Sequence, residues 1–234
     1  MCLRYTITVL PSDLELWLHV KSPNTYKPRF NAAPNQILPI VTQRNTREIV
    51  MAYWGFPKKA GTAVDKSPGL LTKSFNTVKS SKSWRKLLQK NRCLILADGY
   101  YCWKQIGNNR QVPFRIIPNH RKLICFTGIW KEVRDPVNDV PSLFFILITR
   151  PSYKPVDEVC EQMPVIIEPG KEMTWLDGQN MNIEKIIDQM EIEDWALLEY
   201  YSVSPLVHNP KIDNPDLIRP TPATDQLGNL ILFD

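Results

Sequence analysis

Strand-like runs fill this chain and are not spaced by helices, which constrains its fold more than any other feature. LRYTITV, ILPIVTQ, REIVMAYW, RCLILADGYYCWK, PFRIIP, KLICFTGIW, LFFILIT and PVIIE are rich in β-branched and aromatic residues and mostly end at Pro, Asn or Gly. Helical spacing is confined to short stretches. Ser12 and Glu15 read as a capping box ahead of Leu14, Trp17 and Leu18. Trp84, Leu87 and Leu88 form an apolar stripe among lysines and arginines. Ile183, Ile186, Ile187 and Met190 form another after Asn182, and residues around Lys171–Leu176 read as a fourth helix. A doubly wound parallel sheet needs regular strand–helix alternation, so the pattern predicts an α+β fold: a curved antiparallel β-sheet or barrel-like core with peripheral helices.

The whole chain, 1–234, reads as a single domain, because no low-complexity linker divides it. No apolar run reaches the roughly 20 residues of a membrane span and the first residues lack a signal peptide's basic start, so no membrane partner is expected. The cysteines, Cys2, Cys93, Cys102, Cys125 and Cys160, are odd in number and scattered, which favours a reducing, cytoplasmic setting over a disulfide framework. Nothing signals a dimerisation helix, and a monomer is expected.

Charge is unevenly distributed. Residues 55–92 hold ten Lys/Arg and one acid, whereas 157–199 hold twelve Asp/Glu and two lysines. The basic segment reads either as a nucleic-acid contact, through residues such as Lys73, Lys79, Lys82, Arg85, Lys86, Lys90 and Arg92, or as a solvated face.

Taken together, MCxRY at the start, PRFNAAP (28–34), YWGF (53–56), RCLILADGYYCWK (92–104), FTGIW (126–130), MPVII (163–167) and VSPLVHNPKIDNPDLIRP (203–220) resemble the SOS response-associated peptidase family. The resemblance implies a barrel-like sheet, a basic groove for single-stranded DNA and a cysteine at the mature amino terminus. In that setting, removal of Met1 leaves Cys2 as a 1,2-aminothiol. Its amine condenses with the aldehyde of an abasic deoxyribose, and its thiol closes a thiazolidine, leaving a covalent DNA–protein crosslink. No cofactor or resident metal is implied. The alternative for Cys2 is a buried apolar residue.

The same alignment predicts departures from the family pattern. Thr72 and Ser74 stand where relatives have an Asn and an Arg, although a gap would bring Asn76 onto the Asn position. Cys102 stands at a Glu position, Cys160 at a His position and Gln162 at an Arg position. The catalytic positions are therefore Cys2, Cys102, Cys160 and Thr72. The DNA-binding positions are Arg4, Arg29, Asn31, Trp54, Ser74, Lys79, Lys82, Trp103 and Gln162. Trp54 and Trp103 are expected to border the lesion, with core packing as the alternative, and His19, His120 and His208 read as surface or packing residues. Two rival functions remain: a binding module without covalent chemistry, and a pocket where Cys2, Cys102 and Cys160 converge as a metal or redox site.

Overall fold

A computed structural model describes residues 3–58, 68–107, 109–119, 121–134, 140–177, 181–191 and 198–233. In chain order the elements begin with β1 (Tyr5–Ile7), α1 (Pro11–Leu18), β2 (Arg29–Ala32), β3 (Ile37–Thr42), β4 (Asn45–Trp54), β5 (Phe56–Pro57), β6 (Pro68–Leu70) and β7 (Thr72–Ser74). Then come α2 (Phe75–Ser80), α3 (Lys82–Lys90), β8 (Arg92–Ala97), β9 (Gly99–Ile106), β10 (Arg110–Pro118), β11 (Ile124–Arg134) and β12 (Pro141–Pro151). The last are β13 (Gln162–Pro164), α4 (Glu172–Leu176), α5 (Ile183–Glu191) and β14 (Leu198–Ser202).

Strands β8, β3, β4, β12 and β11 pair in a ring, because β11 bonds both β8 and β12. The ring is antiparallel except for the β4–β12 contact. A second sheet runs in the order β14-β10-β9-β1-β2. Aromatic side chains knit the two together: Tyr5 of β1 lies 5.3 Å from Trp54 and 5.9 Å from Phe126, and Tyr100 of β9 lies 5.9 Å from Phe126. The α+β barrel-like core with peripheral helices is therefore the observed architecture. Its logic is visible in β8, where all six residues are buried: Cys93–Ala97 are apolar, and Arg92 at the start is the one charged member.

Local expectations fared unevenly. The run RCLILADGYYCWK is two strands, not one: Asp98 separates β8 in the ring from β9 in the other sheet. Ser12 does not cap α1. Pro11 occupies the first turn with Leu10 at the N-cap, since a fixed proline φ suits that position, and the Glu15 carboxylate instead accepts from the Ser22 amide at 2.9 Å. Leu87 stays exposed while Leu88 turns inward. PVIIE forms a strand only at its start, with Val165 straddling β11 and β12 through two backbone bonds. Among the described residues no helix is long and apolar enough to cross a membrane.

Near the carboxyl end, buried Asp225 closes a turn against β10, accepting from Arg110 Nε at 2.7 Å and from the amides of Leu227 and Asn229. Burial alone would raise this carboxyl, but the bonds from Asn229, Arg110 and Leu227 outweigh it and hold the group well below the usual carboxylate range. A folded value below the unfolded one, about 3.9, means the stabilisation is complete above about pH 4 and declines as acid protonates the group in the folded state. Protection factors at residues 223–231, with the intrinsic exchange rate at each pH divided out, should therefore fall below about pH 4, and Asp225→Asn should show the lower protection already at neutral pH.

Candidate functional site

Strand β1 carries the first described residues into the middle of a sheet, between β2 and β9. Tyr5 faces Ala32 on one side and Tyr100 on the other, and the Arg4 carbonyl accepts from the Tyr101 amide. Asp98 locks the strand from below. Its carboxylate accepts from the hydroxyls of Thr6 and Thr8, from the Thr8 amide at 2.6 Å and from Arg115 at 3.2 Å. Arg115 also donates to Tyr201 Oη at 2.8 Å. Gly99 makes room for this network, since a Cβ there would stand 2.8 Å from the Ile116 carbonyl and 3.1 Å from Arg115 Nε.

At the other end of β1, Arg4 donates to Asn31 Oδ1 at 3.3 Å and to the Val207 carbonyl at 3.1 Å. Burial lowers the pKa of this guanidinium. Buried Asn31 donates to the carbonyls of Val207, Asn209 and Ile212, and Asp213 accepts from the Phe30 and Asn31 amides and from Arg29 at 2.9 Å. The C-terminal segment 203–220 is thereby strapped across β2 at the point where β1 begins. His208 belongs to this strap. Its ring lies 5.6 Å from Trp103, its Nδ1 is 2.8 Å from the Pro205 carbonyl, and its buried Nε2 has no partner among the described residues. The indole N–H of Trp103 is likewise buried and without a partner among the described residues.

Cys2 and His120 lie outside the described residues. Cys102 and Cys160 do come together, as a disulfide with Cα atoms 5.7 Å apart that joins β9 to the segment leading into β13. A bonded pair offers no thiolates, so in this state the three-thiol metal site loses two of its donors. Cys93 and Cys125 are buried free thiols whose pKa values burial pushes well up, leaving them unreactive core residues.

The other predicted positions take varied places in the fold. Trp54 is fully buried, stacked on Phe145, with its indole N–H donating to the Leu71 carbonyl, so no face remains for a base. Trp103 is half-buried at the strap. Ser74 caps α2 by accepting from the Thr77 amide, Thr72 pairs with Leu147, and Gln162 pairs with Pro151. The basic segment leans on the acidic one: Lys79 pairs with Glu191, Arg85 with Glu184, and the ammonium of Lys73 sits 5.2 Å over Trp84. Arg92 is no phosphate ligand. It is fully buried, donates to the carbonyls of Leu88, Gln89, Trp175 and Asp177, and burial lowers its pKa to about 10. Lys82, Lys86 and Lys90 remain exposed on α3 with no described acidic partner. Sequence reasoning missed the Asp98–Arg115 hub and the placing of His208. Asp98, an acid inside an otherwise apolar run, was the available signal for the first.

A strand ring packed on a second sheet, with β1 held between β2 and β9 and a C-terminal strap bound to Arg4 and Asn31, defines an α+β protein with a barrel-like core. The model of the SOS response associated peptidase family matches residues 1–210, and the chain belongs to that family. It is 28% identical over 224 residues to the abasic site processing protein YoqW of Bacillus subtilis, covering 93% of this chain and 99% of YoqW. It is 23% identical to the abasic site processing protein HMCES of Gallus gallus, covering 83% of this chain and 67% of that protein. A solved structure of a protein from Bacteroides thetaiotaomicron superposes with a TM-score of 0.79 at 17% identity, over 94% of this chain and all of that one.

Proposed function

We propose that this protein processes abasic sites in single-stranded or gapped DNA by joining to them covalently through Cys2 once Met1 is removed. Family membership and the names of the relatives support abasic-site processing. The observation that carries the finer reading is the clamp on Arg4, two residues after Cys2, which fixes the start of β1 beside Trp103 and His208. In the reaction the Cys2 amine adds to the sugar aldehyde and water leaves as the imine forms. The thiol then adds to the imine carbon, its proton passing to nitrogen, and the ring closes. With Cys102 and Cys160 tied to each other, neither moves a proton in this state; His208, whose Nε2 has no partner among the described residues, is the group we assign to that task. Arg4 orients the terminus, Trp103 borders the lesion, and exposed Lys82, with Lys86 and Lys90, draws the phosphate backbone.

The test is a denaturing gel. Protein confirmed by mass to have lost Met1 is incubated with an oligonucleotide carrying one abasic site. A species of summed mass is expected for the native sequence and not for Cys2→Ala. No such species with the native sequence overturns the reading, and retained mobility shift in a native gel would then identify a binding module.

A further inference from the structure

We infer that the Cys102–Cys160 disulfide is a thiol–disulfide exchange site that takes small cationic aminothiols. Both cysteines pack in the buried core, but one side of the bond borders open space. Cys160 lines a cavity of about 550 Å³ with Trp103 and Lys104 of β9 on its floor and Asp157, Glu158 and Glu161 on its wall. That volume falls within the range of about 300–1,000 Å³ for small-molecule sites. It admits a low-molecular-mass thiol more readily than the sulfur of a folded protein. Cys160 and not Cys102 borders the cavity, so attack from that side falls on Cys160.

The charges select the attacker. Three acidic residues line the cavity against one lysine; Glu158 accepts from the Tyr200 hydroxyl, and the lysine's ammonium lies 4.7 Å over the ring of Phe233. A protonated amine is drawn to this wall and to the indole face of Trp103, while an anionic thiol is repelled. The incoming thiolate bonds to Cys160 Sγ and the sulfur–sulfur bond breaks. Its electron pair leaves on Cys102 Sγ, which takes a proton from water. A second aminothiol then attacks the sulfur of the first, releasing Cys160 as a thiol and an oxidised aminothiol dimer, so the protein is reduced by two electrons. The opened bond unties the 156–161 wall from β9.

The experiment uses the full chain, oxidised and folded, without DNA, so its result is separable from that of the crosslinking assay. Cysteamine and thioglycolate are supplied at equal thiolate concentration, each rate is divided by that reagent's rate on an uncharged model disulfide to remove intrinsic nucleophilicity, and alkylation of Cys102 is followed by peptide mass. Cysteamine should open the bond on the order of tenfold faster, with the first adduct on Cys160. Asp157→Asn combined with Glu161→Gln should bring the two rates together, and Lys104→Glu should separate them further. Equal rates, faster opening by thioglycolate, a first adduct on Cys102, opening only in denaturant, or both cysteines alkylated before any thiol is added would each overturn the assignment.

Discussion

Asp98→Ala should lower the unfolding free energy by about 3–5 kcal/mol, the usual cost of removing one partner from a buried ion pair. Asp98 and Arg115 have side chains only 7% and 9% exposed, so the guanidinium would be left charged in a site with little access to water. The hydroxyls of Thr6 and Thr8 and the Thr8 amide would lose their acceptor as well. Chemical denaturation followed by tryptophan fluorescence reads the loss, and a change below 1 kcal/mol would refute the hub. Combining Asp98→Ala with Arg115→Met should restore part of the stability, because the stranded charge is then gone. Asp98→Asn keeps an acceptor of the same shape and should fall between the native protein and Asp98→Ala.

Arg92→Ala is the second large effect, roughly 3 kcal/mol or more. The guanidinium gathers four carbonyl oxygens from the end of α3 and the end of α4, at 2.6 to 3.2 Å, and lies 5.6 Å from the Trp175 ring. Removing it strands those acceptors and empties the space between two helix ends. Lysine cannot substitute, since one ammonium has three donors and no planar fork with which to reach both ends. Arg92→Lys should therefore recover less than half of the loss in thermal unfolding.

Arg92 also shows how far sequence alone could reach. Composition placed it in a basic run and invited a phosphate contact; only the fold reveals that the run starts a buried strand and that the charge is spent indoors. Lys79 and Arg85 teach the same lesson, because the acids that neutralise them lie about a hundred residues downstream in α5. The strands were legible because they are continuous apolar runs, and α5 because Ile186, Ile187 and Met190 repeat at helical spacing. Strands β2, β7 and β14 escaped notice: they are short and half-polar, and they exist through pairing partners distant in sequence. Trp54 could not be assigned to core or groove from its neighbours, since YWGF suits both. Nor does spacing announce a bond between Cys102 and Cys160, 58 residues apart; only the overlay of two family positions brought them to attention.

The interior position of β1 also decides how the molecule bears load. A pull on residues ahead of Tyr5 travels along the strand axis, and the bonds to β2 on one flank and β9 on the other resist it side by side, in shear. An edge strand would peel, breaking one bond at a time. Anything tethered at that end is thus held by both rows of bonds, which must give way together before the strand slides free.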